Sequence, residues 1–322
     1  MSDTKTKKIT SIGGSALIEG IMMRGPKKTT VAVRMGKDDI YTEDITFEGL
    51  TQKYKFFRIP FIRGIGGLVD SMRLSYKSLM LSADKAIEAG EIEEEEPSKF
   101  EKWLEEKFGD KLVKIMMVFA SIIGVAFAVG LFFFVPSFLY DLICKVTSVA
   151  ESRLFKSVFE GVLKIALFLL YIVLCSRMQE MKRVFQYHGA EHKTIFCYEN
   201  EEELTVENVK KFRRFHPRCG TSFLVIMLIL GIVLGLFVPV APFGISWLRP
   251  VIKILLLPIT CGIGYELIKI CGKHDNTFTR IIAAPGMWAQ RITTKEPDES
   301  MIEVAIAAIK DVIPDDGSDI IK

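Results

Sequence analysis

Histidine is scarce in this chain: 322 residues hold four, and three of those fall between 188 and 216. Charge is missing from long stretches. Residues 115–140 run for 26 positions without a charged side chain, and residues 219–248 for 30. Either run exceeds the ~20 apolar residues that cross ~30 Å of hydrocarbon, which excludes an ordinary soluble globule. A secretory leader is lacking too, since residues 1–30 are polar and glycine-rich with no apolar core. No internal repeat is visible. The six cysteines do not suggest a disulfide framework, because Cys197, Cys219 and Cys271 fall on or near the expected cytoplasmic side, where thiols stay reduced.

What is present reads as an α-helical membrane protein with about four transmembrane helices, plus a small α+β cytoplasmic N-terminal domain with a β-hairpin and a cytoplasmic helical loop and tail. Residues 1–90 form the α+β domain, and 91–111 an acidic linker with a lead-in helix. Residues 112–271 form the membrane region, with spans near 113–138, 158–177, 220–240 and 250–270, and 272–322 a tail ending in a helix. The segment 178–218 between the second and third spans holds eight Lys/Arg, against three in 141–157 and one in 241–250. By the positive-inside rule both termini and the histidine loop 178–219 are cytoplasmic.

Within 1–90, "TTVAVRMG" alternates before a turn at "GKDD", which predicts a hairpin with the strand that follows. The glycine-rich stretch Gly13–Pro26 suits close backbone contact, or alternatively a phosphate cradle, although it matches neither the Walker nor the dinucleotide spacing. Helical periodicity over 60–90 gathers Leu68, Met72, Tyr76 and Leu79 on one face, to cover the sheet or to lie on a membrane. In the tail, Asp298 or Ser300 is placed to cap a helix with Met301, Val304, Ala305 and Ala308 inward.

The chemistry concentrates in "YHGAEHK" (187–193) and "HPRCG" (216–220). On a helix, His188 and His192 share a face, and Glu191 could act as general base beside an ion held there, as in the inverted zincin pattern H-x-x-E-H. His216 and Cys219 add a nitrogen and a sulfur, a donor set that favours Zn over Mg or Ca. Four bound residues make a closed structural site; three leave a position for hydrolytic chemistry. The bland alternative is a set of groups that hydrogen-bond one another. Glu266 either reaches the membrane interface or supplies a carboxylate to the site. Lys193, Tyr198 and Arg218 stand beside the site as substrate clamps or topology determinants.

The motifs "GGSALIEGIMMRGP", "YHGAEHKTIFCYE", "FHPRCGTSFL" and "PGMWAQRITTKEPDESMIEVAIAA" resemble the YqhQ-like bacterial integral membrane family over nearly the whole chain. That resemblance implies a domain of unknown function, catalogued as a predicted metal-dependent enzyme, in the bacterial inner membrane. It maps candidate ligands onto His188, Glu191, His192, His216 and Cys219. Two function classes follow: a zinc hydrolase with Glu191 as catalytic base, or a non-enzymatic factor whose metal, if any, is structural. The basic run "KKFRR" (210–214) would let such a factor dock a cytoplasmic partner such as a ribosome or translocon. A transporter, formed as a homo-oligomer, is the third class. The lipid bilayer is the expected partner throughout, and specific DNA binding is not expected.

Overall fold

The computed structural model describes residues 8–37, 39–90, 115–116, 118–147, 152–273 and 276–321. The acidic linker and lead-in helix expected at 91–111 lie outside them. The chain divides into two compact units. One comprises Met1–Ile92, Leu169–Met227 and Pro258–Lys322; the other comprises Glu93–Phe168 and Leu228–Leu257.

The first unit is built on a four-stranded antiparallel meander: β1 (Gly13–Leu17), β2 (Gly20–Arg24), β3 (Thr29–Arg34) and β4 (Ile40–Asp44), in that spatial order. The expected hairpin is β3–β4, with Val31 opposite Glu43. The glycine-rich stretch is itself a hairpin, β1–β2, rather than a loop. Strand alternation sorts the sheet's side chains into two layers. Ile21, Met23 and Ala32 pack on one face against Tyr187, Ala190, Met301 and Ile302. Leu17, Met22, Val31 and Val33 pack on the other, with Ile45 and Leu74.

Helix α1 (Ile62–Glu88) supplies Leu74 and turns Ser78, Ser82 and Ala86 inward. The larger stripe read from the sequence is its outer face, where Met72, Tyr76, Leu79 and Met80 are exposed. Close approach explains the choice of small inward residues: Ser82 donates to the Ile18 carbonyl, and a Cβ on Gly20 would lie 3.3 Å from Ser82 Oγ.

The apolar runs form further helices. α2 (Val118–Thr147) and α3 (Arg153–Cys175) are long and apolar enough to cross a membrane. Within α2, Gly130–Phe134 is a π-turn just before Pro136, which lacks the N–H that a regular α-ladder needs. After α3 comes α4 (Gln179–Glu199). Next, α5 (Gly220–Gly235) has 16 residues, fewer than a full crossing needs. Its apolar run continues, but Pro239 and Pro242 turn the backbone out of helix. Then α6 (Leu248–Leu255) and α7 (Leu257–Lys273) form a broken pair that counts as a third candidate crossing if taken as one. Among the described residues, two or three helices are thus apolar enough to span, where composition suggested four.

The last two helices return to the sheet unit. α8 (Thr277–Thr293) precedes α9 (Glu299–Val312), which Asp298 caps by accepting from the Met301 N–H at 2.9 Å. The stripe Met301, Val304, Ala305 and Ala308 is wholly buried, as its spacing predicts. Each of its larger side chains contributes about 1.5–3 kcal/mol.

Candidate metal centre

The histidine segment is a helix, α4, so His188 and His192 stand one turn apart with ring centroids 4.4 Å from each other. Backbone carbonyls orient both rings. His188 Nδ1–H donates to Thr293 O at 2.9 Å, and His192 Nδ1–H donates to Arg214 O at 2.5 Å. A carbonyl can only accept, so each imidazole keeps a proton on Nδ1 and turns its Nε2 towards the site. Metal-ligating histidines are commonly held this way by their second nitrogen.

Those nitrogens meet Cys219. His188 Nε2 lies 3.1 Å from Sγ, and one ligand atom from each of His188, His192 and Cys219 falls within 4.8 Å of the others. The site is buried, with His192 1% and Cys219 8% exposed. Burial alone would raise the Cys219 thiol, but His188 and His192 outweigh it and hold the thiol well below its usual range. The Thr221 N–H, in the first turn of α5, also faces Sγ at 3.5 Å. A sulfur at a helix N-terminus favours the thiolate. Burial opposes protonation of His188, yet the facing Cys219 thiolate prevails and raises it to about 9. Two imidazoles and a thiolate therefore suit a metal ion in geometry and donor type, and an ion held there would displace the second His188 proton.

Glu191 is buried beside this group. Burial raises its carboxyl against the pull of His188 and His192. The Gly14 N–H donates to it, while Oε2 has no partner among the described residues. This is where the glycine-rich motif bears on the site. A Cβ on Gly14 would lie 2.7 Å from Met22 O and 3.0 Å from Glu191 Cδ, so only glycine lets β1 approach.

His216 stands next to the group rather than within it. Its ring is 5.5 Å from that of His192. Its Nδ1 accepts from the Arg218 N–H at 3.3 Å, and its Nε2 faces Glu199 Oε2 at 3.7 Å. Burial, aided by His192 and Arg218, lowers its pKa to about 4. Gln290 fixes its backbone, accepting from His216 N and donating to His216 O, both at 2.7 Å.

The other polar groups singled out in the sequence have partners inside the fold. Arg218 binds Glu199 and Thr10 O, Lys193 binds Glu296, and Tyr198 donates to Asp319 at 2.9 Å. Glu266 pairs with Arg63 at 2.5 Å, away from the histidines. In the basic run, Lys210 pairs with Glu299 and Arg214 with Glu296, while Arg213 stacks on Phe196. Sequence reasoning missed Gln290, Thr293 and Glu199. Their signal was membership of the long motifs, since none is a ligand by type and spacing.

Residues 59–315 match the family described as "Protein of unknown function (DUF1385)". The chain is also 32% identical over 317 residues to "Uncharacterized protein YqhQ" of Bacillus subtilis (strain 168), covering 96% of this chain and 94% of that one. No solved structure matches it. The chain belongs to this YqhQ-like family.

Proposed function

We propose that this member of the YqhQ-like family is a multi-pass protein of the bacterial inner membrane that carries a zinc-dependent hydrolytic site on its cytoplasmic side. The observation that carries the reading is the convergence of His188, His192 and Cys219 beside a buried carboxylate with a free oxygen, Glu191 Oε2. The three would hold the ion, and zinc suits a nitrogen and thiolate donor set. With three protein ligands, a bound zinc would keep a position for water or substrate and would supply Lewis acidity there. Glu191 would take a proton at Oε2, and burial holds its carboxyl above the usual carboxylate range, which favours a base over a spectator. The Gly14 N–H keeps the carboxylate oriented. His216 supports the site from outside, holding the turn that brings Cys219 to α4. The membrane reading draws on α2, α3 and the α6–α7 pair, with α5 as a short fourth segment. The lysines and arginines of 178–218 support a cytoplasmic side for the histidine helix and both termini.

A second reading, a structural ion in a non-enzymatic membrane factor, is favoured by the burial of His192 and Cys219. Cobalt substitution separates the two without knowledge of the substrate. An open position lets an added hydroxamate reach the ion and change the visible spectrum of the cobalt form; a closed site leaves the spectrum unchanged. Glu191→Gln should keep the metal while reducing any chelator-sensitive hydrolysis by about 10²–10⁴-fold.

A further inference from the structure

The outer face of α1 and the turn before it are unlike the rest of the sheet unit. Tyr54, Phe56, Ile59 and Phe61 are exposed there, with Phe56 60% accessible. Met72, Tyr76, Leu79 and Met80 continue the face along α1, Met72 and Tyr76 at 65% and 67%. A soluble surface rarely gathers so many large apolar side chains in one strip without covering them.

Two observations say what covers it. First, the strip starts where α1 touches an apolar helix. A Cβ on Gly64 would lie 2.8 Å from Tyr265 Cβ, one on Gly262 would lie 2.8 Å from Phe61 O, and Arg63 grips Glu266 of α7 through both carboxylate oxygens. Helix α7 belongs to a candidate crossing, and the strip starts beside its residues 261–266, so the exposed aromatics adjoin an apolar helix. Second, the strip is bordered by cations. A cavity of about 530 Å³ opens beside it, lined by Lys53, Arg73 and Lys77 with one carboxylate, Glu48. Tyr54 and Phe47 form its apolar walls, Arg73 stacking on the Phe47 ring at 5.4 Å. Apolar side chains next to a cationic pocket are the complement of acyl chains next to a phosphate.

We infer that Tyr54–Met80 lies in the surface of an anionic bilayer, its apolar strip among the lipid chains and a lipid phosphate in the cavity between Lys53, Arg73 and Lys77. This rests on the membrane reading above. It makes α1 a two-sided spacer: small residues against the sheet, large ones against lipid.

The test uses the full chain reconstituted in phosphatidylcholine vesicles, with and without phosphatidylglycerol, and bromine-bearing lipid as a tryptophan quencher. Val125→Trp, in α2, reports membrane insertion. Met72→Trp and Tyr76→Trp report the strip, and Thr42→Trp, exposed on β4, is the control. We expect Trp introduced at 125, 72 and 76 to lose emission above the wild-type background while the position-42 variant keeps it. Phosphatidylglycerol should deepen the loss at 72 and 76. Combining Lys53→Gln, Arg73→Gln and Lys77→Gln should remove that deepening. Quenching at 125 with none at 72 and 76 overturns the inference alone, and a second copy of the chain would then be the occupant. A charge variant that retains the phosphatidylglycerol effect overturns the phosphate pocket. Absence of quenching at 125 overturns the membrane reading as well.

Discussion

Two clusters of buried ionisable groups, one in each unit, differ in how fully they are satisfied. In the second unit, Arg249 is completely buried and uses all five of its N–H groups. They go to Glu160, to Ser157 Oγ, and to the carbonyls of Gly235, Val238 and Pro239 where α5 ends. Lys253 takes the other Glu160 oxygen. Every Arg249 N–H and both Glu160 oxygens are engaged, and the cluster reads as a clamp on a helix end. The histidine cluster of the first unit is the opposite. Its imidazoles turn Nε2 to one sulfur, where an ion could replace a proton, and Glu191 Oε2 has no partner among the described residues. Buried charge alone does not mark a site; buried valence left open does.

Substitutions that empty each cluster in turn sharpen this contrast. The largest effect is expected in the clamp. Arg249→Ala leaves Glu160 without a main partner and takes the Arg249 donors from the Val238 and Pro239 carbonyls, at about 3–5 kcal/mol. Denaturant or thermal unfolding in detergent should show that loss, with metal per folded chain unchanged. A change in metal content would break the separation of the two clusters. Gly14→Ala comes next. The added methyl meets Met22 O and Glu191 Cδ, costing about 1–3 kcal/mol, and any hydrolytic activity should fall further than stability accounts for. An activity loss that merely tracks unfolding would remove Gly14 from the site. The smallest effect is on pH. Without metal, His188 stays protonated up to about pH 9, and only the neutral ring can bind an ion. Apparent metal affinity should rise about tenfold per pH unit towards 9 and then level off, as chelator competition would show. A flat profile between 6.5 and 9 would contradict the His188–Cys219 pairing.

Spacing revealed much of the site, because helical periodicity alone puts His188 and His192 on one face and the thiolate chemistry of Cys219 follows from its type. It could not show that His216 turns towards Glu199 and Arg218, since that depends on a fold closed by Thr10 and Gln290 from the far ends of the chain. The carbonyls of Thr293 and Arg214, which set both tautomers, carry no sequence signal at all. The sheet was half visible: β3 and β4 alternate and have a turn between them, whereas β1 and β2 were hidden behind glycines needed for close packing. Counting apolar residues overstated the third span, because Pro239 and Pro242 end the helix while leaving the hydropathy high. That Lys210 and Arg214 of the basic run pair inside the fold was invisible, because Glu299 and Glu296 lie more than 80 residues away.

The central claim is that this opening in the first unit holds a metal. Elemental mass spectrometry of the full chain, purified in detergent without chelators, measures it directly for the wild type, His192→Ala and the milder Cys219→Ser. About one zinc per chain in the wild type, lost in both variants while the chain stays folded, is the predicted result. Wild-type protein that is folded and free of metal, and stays so after incubation with zinc, would contradict it.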